Sequence, residues 1–330
     1  MILISFGTRP EYIKIKPLLK FLNKRDYKLI FTGQHVDLLS DIEEDVQRIQ
    51  IAPGSNRLDS IVSSLMNLNN IFDDIDYTLV QGDTTSAFAM ALASFHRKIK
   101  IIHLEAGLRT YKKERPYPEE FNRQAISRMA DIHLCPTQLN KSNLIDERVS
   151  GDIFVVGNTV LDNLVDIRPH YGSHVVITMH RRENHDNMSK WFRAIDILAR
   201  DNPDLNFILP IHPNPNVKKH RYLLKHVNII DPLCYNKFIE LLSTCKFVIT
   251  DSGGLQEECS FLKKKCLVCR QETERVESLG FFSLICRTPE DLKKNFNRIK
   301  DDYVADIKSP FGDGKSAEKI VEIFKERNIV

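Results

Sequence analysis

Short apolar runs that stop abruptly at a glycine or a charged residue recur along this chain, and no other feature narrows its choice of fold as much. Ile2 to Phe6 ends at Gly7, Lys28 to Phe31 leads into Gly33, and Thr78 to Gln81 ends at Gly82. Runs this short, bounded by turn residues, read as buried strands. Between them lie helical stretches. Pro10 opens one that runs through Lys20, because a proline in the first turn gives up no hydrogen bond, and Ala87 to His96 is compact and helical. Lys100 to Leu104, Ile132 to Cys135 and Ile153 to Val156 continue the rhythm. Strands that alternate with helices predict a parallel sheet covered on both faces.

The rhythm pauses after Asn158 and restarts. Val175 to Thr178, Phe207 to Pro210, Val227 to Ile230, Phe247 to Thr250 and Cys266 to Cys269 form a second set of strands. Helices are expected over Met188 to Ala199, Phe238 to Cys245 and Leu255 to Leu262. A chain of 330 residues is long enough for two domains, each with its own core. Its 42% hydrophobic and 28% charged residues are those of an ordinary globular protein.

Charge excludes one class of partner. Lys and Arg total 47 against 44 Asp and Glu, a formal charge of +3, which sets up no large field for a polyanion. The basic runs Lys218 to Arg221 and Lys263 to Lys265 read as solvated surface, and no nucleic-acid-binding signature is present, so nucleic acid is not an expected partner. Cys266 and Cys269 form a Cys-x-x-Cys, but strand alternation puts them on opposite sheet faces, a poor geometry for a shared metal. Reduced thiols and a reducing compartment are the expectation. The N-terminus begins directly with the apolar Ile2 to Phe6, and no span approaches the roughly 20 residues of a membrane helix. Neither export nor membrane insertion is expected, which makes the cytoplasm the expected location.

Polar residues gather immediately after the strands, at Arg9, Asp83, Glu105, His180, His212 and Asp251. In open parallel sheets the ligand crevice lies beyond the strand C-termini, so this placement predicts one active site between the domains. The bland alternative is that exposed loops are polar anyway. Gly7-Thr8-Arg9 and Asp251-Ser252-Gly253-Gly254 each read either as a turn or helix cap, or as a backbone cradle for phosphate. The dinucleotide pattern Gly-x-Gly-x-x-Gly is absent. Asp83 suits a cap of the helix that follows it, and Glu119 and Arg123, four apart, suit an ordinary helical pair. Glu105 and Glu120 add carboxylates to the same loop edge. His180-Arg181-Arg182-Glu183 can recognise a diphosphate or lock neighbouring carboxylates. His212, between Ile211 and Pro213, is equally suited to a structural or a catalytic place. No Ser-His-Asp order and no metal-ligand spacing stands out.

Taken together, these loops resemble the non-hydrolysing UDP-N-acetylglucosamine 2-epimerase family over nearly the whole chain. The resemblance is carried in the first half by Gly7-Thr8-Arg9-Pro10-Glu11 with Ile13 and Lys14, Thr32-Gly33-Gln34-His35, Gly82-Asp83-Thr84-Thr85, His103 through Thr110, Pro118 through Arg123 and Gly157 through Val160. In the second half it is carried by His180 through Glu183, His212 through Pro215, Asp251 through Glu258 and Thr273-Glu274-Arg275. It implies an α/β fold of two Rossmann-like domains in the GT-B arrangement, with the active site in an interdomain cleft, and usually a homodimer. The domains would be 1–160, completed by a C-terminal helix over 316–330, and 161–315, with Gly312-Asp313-Gly314 at the crossover.

The implied partners are a UDP-2-acetamido sugar and UDP, and the implied reaction interconverts UDP-N-acetylglucosamine and UDP-N-acetylmannosamine through 2-acetamidoglucal. Carried over residue by residue, Asp83, Glu105 and Glu119 are the acid/base groups, His212 and Arg9 assist at the nucleotide or leaving group, and Lys14 joins the catalytic pocket. Ser252, Gly253, Gly254 and Glu258, with His180, Arg181 and Arg270, would hold the nucleotide. No metal and no nicotinamide cofactor is implied.

The sequence departs from the family at Val36-Asp37-Leu38, over Ile51 to Arg57, in the loop Tyr111 to Tyr117 and at Val276. The first two lie where part of the family binds regulatory substrate, so the same activation is not expected here. The loop from Tyr111 keeps another UDP-2-acetamido sugar, such as a 6-deoxy sugar, in view. A hydrolysing epimerase and a GT-B glycosyltransferase are the remaining alternatives.

Overall fold

The computed structural model describes residues 1–33, 42, 44–49, 56–68 and 70–330, with Arg57 described by its backbone alone. Gln34-His35, the Val36-Asp37-Leu38 departure and residues 51–55 of the Ile51 to Arg57 segment therefore lie outside the described residues. The chain divides into two compact units, Met1–Asn163 with Gly312–Val330, and Leu164–Phe311.

The first unit runs β1 (Ile2–Phe6), α1 (Arg9–Leu19), β2 (Tyr27–Phe31), β3 (Gln47–Arg48), α2 (Arg57–Asn67), β4 (Tyr77–Gln81), α3 (Thr85–His96), β5 (Lys100–Leu104), α4 (Glu119–Met129), β6 (Ile132–Cys135), α5 (Gln138–Asp146) and β7 (Asp152–Val155). Among the described residues the strands form one seven-stranded sheet in the order β3-β2-β1-β4-β5-β6-β7, every pair parallel. Period-two alternation sorts β1 between two cores. Ile2, Ile4 and Phe6 point into a cluster with Tyr12, Ile15 and Leu18 of α1, while Leu3 points into another with Ile61 of α2, Met90 of α3 and Ile126 of α4.

The second unit runs β8 (His174–Thr178), α6 (Met188–Asp201), β9 (Asn206–Pro210), α7 (Pro215–Lys218), β10 (Asn228–Ile230), α8 (Tyr235–Thr244), β11 (Phe247–Thr250), α9 (Gly254–Phe261), β12 (Cys266–Val268), β13 (Ser283–Ile285) and α10 (Pro289–Ile299). Its sheet is six-stranded and parallel, in the order β10-β9-β8-β11-β12-β13. Trp191, Phe192 and Ile195 of α6 and Leu292 and Phe296 of α10 cover Val175, Ile177, Phe207, Phe247 and Ile249.

The last helix, α11 (Ser316–Glu326), belongs to the first unit. Its Ala317, Ile320, Val321 and Phe324 join the cluster under β1 and α1, and each of the larger three contributes roughly 1.5–3 kcal/mol by burial. Asp162 receives the unpaired amides of its first turn, Ser316 N at 3.1 Å and Ala317 N at 2.7 Å.

Each sheet has a switch point where strand order reverses, between β1 and β4 in the first and between β8 and β11 in the second. Loops leave in opposite directions there, which opens a crevice at the strand C-termini. These loops are Gly7–Arg9 with Gly82–Thr84, and Met179–Glu183 with Asp251–Gly254.

Two expectations are corrected at the level of the fold. Asp83 does not cap α3, because Thr84 does, its hydroxyl accepting Ala87 N at 3.0 Å. Lys264, in a run expected to be solvated, is fully buried. Its Nζ donates to the carbonyls of His170 and Cys245, both at 2.7 Å, and lies 3.9 Å from the centre of the Tyr171 ring. Two acceptors and an aromatic face offset its lost hydration, while burial pushes its pKa down to about 8.

The seven cysteines are all free, and Cys234 is the exposed one. Cys269 packs in the core beside Leu267, whereas Cys266 Sγ lies 3.2 Å from Ser283 Oγ. Among the described residues no helix is long and apolar enough to cross a membrane.

Candidate active site

At the first unit's sheet edge the sequence places a lysine one turn into α1 and a glutamate directly after β5. The fold turns them into a pair, with Lys14 Nζ on Glu105 Oε2, and Gln81 at the end of β4 donates its amide to the same oxygen. Glu105 is only 7% exposed and holds a left-handed φ of +68°, which a non-glycine residue adopts at a cost of about 1–3 kcal/mol. Its own amide and that of Ala106 both donate to Leu134 O at 3.1 Å. The carboxylate is thereby fixed from the backbone and from two side chains.

Asp83 is held from α4. Arg123 Nε lies 2.9 Å from Asp83 Oδ2, its Nη2 contacts the same oxygen, and Asn122 Nδ2 donates to the Asp83 carbonyl at 2.9 Å. The guanidinium also reaches Glu120 at 3.2 Å. Glu120 is fully buried and accepts the amides of Thr110 at 3.0 Å and Tyr111 at 2.9 Å, which ties the loop after β5 to the start of α4. Glu119, half-buried, is the first residue of that helix. Arg9 is half-buried at the first position of α1. Asp83, Glu105 and Glu119 thus sit on one edge, after β4, after β5 and at the head of the helix that grips Asp83.

Arg123 and Gln81 were not singled out by sequence as site residues, and neither was Glu11. Glu11 is 1% exposed, and burial pushes its carboxyl up to about 7 against the opposing hydrogen bonds from Thr84, Thr8 and Gly7. A signal for it exists, since Thr8-x-x-Glu11 has the spacing of a capping box. His103, on β5, is fully buried with Nε2 2.8 Å from Gly82 O, and burial pushes its pKa down to about 3.

In the second unit the fully buried Asp251 accepts His180 N at 3.1 Å, Arg181 N at 2.9 Å and Asn184 Nδ2 at 3.0 Å. It braces the loop after β8 across the switch point. That loop turns the His180 ring onto His212, with centroids 5.2 Å apart and planes 23° from parallel. Burial lowers the pKa of both imidazoles. His212 Nδ1 accepts the backbone amide of Asn214 at 3.2 Å, so its neutral ring carries the proton on Nε2 and offers a donor there.

Ser252 N donates to Thr250 Oγ1 at 2.9 Å, and Gly253 and Gly254 open α9. A Cβ on Gly253 would meet Glu274 Oε1 at 2.7 Å and Arg275 Nη1 at 3.0 Å, whereas one on Gly254 would meet nothing within 4 Å. Gly253 is therefore a place of close packing and Gly254 an open approach. Those neighbours belong to a chain of alternating charge. Glu183 meets Arg270 at 2.6 Å, Arg270 meets Glu274 at 3.1 Å, Glu274 contacts Arg275, and Arg275 meets Glu257 at 3.0 Å. The Arg270 guanidinium is thus engaged by two carboxylates of its own unit. Glu258 Oε1 accepts the Tyr235 hydroxyl at 2.9 Å, and burial, then the nearby Glu258 charge, raises the tyrosine's pKa and keeps it a donor. Among the described residues no group of three or more His, Cys, Asp or Glu is placed to hold a metal.

A family model described as UDP-N-acetylglucosamine 2-epimerase matches residues 20–325. A UDP-N-acetylglucosamine 2-epimerase of Campylobacter jejuni is 37% identical, the match covering 98% of this chain and 96% of the relative. Among solved structures, a UDP-GlcNAc 2-epimerase from Neisseria meningitidis bound to UDP-GlcNAc superposes with a TM-score of 0.89 at 34% identity, covering 98% of this chain and 99% of the other. The S. aureus MnaA–UDP co-structure superposes at 0.88 and 31% identity, covering 100% and 97%.

Proposed function

Because the chain belongs to the UDP-N-acetylglucosamine 2-epimerase family, we propose that it interconverts UDP-N-acetylglucosamine and UDP-N-acetylmannosamine by the non-hydrolysing route. The observation that carries this reading is a pair of anchored carboxylates, Asp83 on Arg123 and Glu105 on Lys14, at the C-terminal edge of one sheet.

A base removes the proton at C2 of the sugar while the C1–O bond to UDP breaks. The electrons left at C2 form the C1–C2 double bond, and UDP departs with the electron pair of the broken bond, leaving 2-acetamidoglucal. In the return step a proton arrives on the opposite face of C2 and the β-phosphate oxygen of UDP adds to C1. One proton carrier on one face cannot invert the centre, so at least two acid/base groups are needed. Asp83, Glu105 and Glu119 supply them in the first unit, with Arg9 and Lys14 as cations for the developing charge.

The second unit takes the nucleotide. Gly253 and Gly254 offer the amides at the start of α9 to phosphate and Ser252 offers its hydroxyl, His212 offers its Nε2 proton to a phosphate or leaving-group oxygen, Glu258 receives ribose hydroxyls, and His180 and Arg181 complete the binding loop. Arg270 acts through Glu183 and Glu274, by holding that loop. We read the working species as a homodimer in a reducing, cytoplasmic setting, in keeping with the family resemblance and the free cysteines.

Incubation with UDP-N-acetylglucosamine, followed by proton NMR, tests the proposal. The expected product is the C2 epimer with UDP still attached. Stoichiometric free sugar and UDP would mean hydrolysis, and turnover only with an added acceptor would mean glycosyl transfer. The exposed Tyr111 and Tyr117, in the loop that departs from the family, justify running a 6-deoxy UDP-2-acetamido sugar in parallel. Faster turnover of that sugar would move the substrate assignment while leaving the reaction unchanged.

A further inference from the structure

Glu11 has no part in the chemistry above, yet its carboxylate lies at the first unit's switch point. Oε2 accepts Gly7 N at 3.1 Å and Thr8 Oγ1 at 2.7 Å, and Oε1 accepts Thr84 Oγ1 at 2.7 Å. Gly7 and Thr8 leave β1, whereas Thr84 follows β4. The ladder between these strands pairs Ile2 to Ile4 with Tyr77 to Leu79, so the last two residues of each run on beyond it toward diverging loops. Glu11 joins the loops past that point, gripping on each side the immediate neighbour of a site residue, Thr8 beside Arg9 and Thr84 beside Asp83.

A helix cap alone does not account for this arrangement. A glutamate at the third helical position caps equally well from the surface, where its charge stays hydrated. Glu11 is instead 1% exposed, a cost that the hydrogen bonds from Thr84, Thr8 and Gly7 offset in part. The loops are pressed together as well, since a Cβ on Gly7 would run into Ser86 Oγ at the start of α3.

We propose that Glu11 is a positioning residue for the epimerase reaction, its carboxylate setting the spacing between the loop that carries Arg9 and the loop that carries Asp83. The proposal rests on the assignment of Arg9 and Asp83 made above.

Glu11→Ala and Glu11→Gln separate this role from simple folding. A glutamine can keep its carbonyl on Gly7 N and Thr8 Oγ1 and turn its NH2 to the Thr84 oxygen, so the loops stay joined, whereas alanine releases both. Displacement of a reacting group by about 1 Å costs roughly a hundredfold in rate. The expected result is that kcat falls by about that factor in Glu11→Ala while the UDP Kd stays within about threefold, and that Glu11→Gln recovers most of kcat. Amide hydrogen exchange should accelerate at Gly7 and across residues 82–86 in Glu11→Ala alone.

Parallel losses of kcat, UDP affinity and melting temperature would overturn the proposal in favour of a purely structural role. So would a glutamine variant as impaired as alanine, or unchanged exchange in both loops. Hydrogen exchange reads the clamp without any turnover. A wild-type enzyme that fails to epimerise but shows the exchange pattern would therefore sink the assignment of the site, and the positioning role with it, while leaving the clamp as a physical fact.

Discussion

Arg123 divides its guanidinium between two carboxylates, with Nε 2.9 Å from Asp83 and Nη1 3.2 Å from Glu120. A planar fork can serve both at once, and a lysine ammonium in its place cannot. Arg123→Lys should therefore loosen Asp83 and lower kcat by about 10- to 100-fold. UDP affinity should change far less, because the nucleotide is assigned to the other unit. Asp83→Asn and Glu119→Gln should reduce turnover by more than they reduce UDP affinity. Steady-state kinetics beside UDP titration checks the three variants, and unaltered turnover in both carboxylate variants would reject their assignment.

Proton exchange at C2 is a direct consequence of the elimination route. In deuterated water the product should carry deuterium at C2, seen as loss of the H2 signal in its proton spectrum. Full retention of the original hydrogen through many turnovers would rule out the proposed exchange.

Gly253 packs where two ion-paired side chains leave no slack. Gly253→Ala would drive a methyl group into Glu274 Oε1, at 2.7 Å from the ideal Cβ, and neither Glu274 nor Arg275 can withdraw without breaking their contact. We expect a loss of about 1–3 kcal/mol in stability and weaker UDP binding. Gly254→Ala, with open space ahead of it, should fold as well as wild type. Thermal melts and UDP titration distinguish the two, and equal behaviour would show that the Gly253 packing is not as tight as described. Ser252→Ala should weaken UDP binding if that hydroxyl meets the nucleotide directly.

Two buried groups of the first unit contribute to stability against acid with opposed signs. His103 is held near 3 in the folded protein against its ordinary 6.5, so the unfolded chain binds the extra proton in between. Its contribution, roughly 5 kcal/mol at full extent, is present above pH 6.5 and is lost as pH falls toward 3. Glu11, raised to about 7 from 4.5, binds its proton in the folded state, so its contribution of roughly 3 kcal/mol is present below 4.5 and is lost as pH rises through 7. The two one-proton slopes oppose each other between 6.5 and 4.5, and below that the histidine is the one of the two that still acts. Melting temperatures of Glu11→Gln should consequently begin to fall at a higher pH than those of wild type. Superposable profiles for the two proteins would refute the assignment.

Much of the fold was legible because most strands are apolar runs that end at a glycine or a charge, a pattern that survives any tertiary context. β3 escaped because Gln47 and Arg48 are two exposed residues that pair only at a sheet edge. β13, which opens on Ser283 at the edge of the second sheet, also escaped. α5 and α10 had usable signals, the capping boxes Thr137 with Asn140 and Thr288 with Asp291, that apolar periodicity alone did not bring forward.

The sequence by itself determined the alternation that makes two parallel sheets and the gathering of charged residues at their strand ends, because both depend on local order along the chain. It also carried the family motifs. Only the tertiary structure decided which of those charges meet. Asp83 pairs with an arginine 40 positions away, Lys14 with a glutamate 91 positions away, and Asp251 with amides some 70 positions before it. Likewise Glu11 in one unit and Asp251 in the other each became a buried brace across a switch point. The physical reason is that a carboxylate's partners are fixed by strand order and by which loops diverge, and neither is written in the residues that flank it.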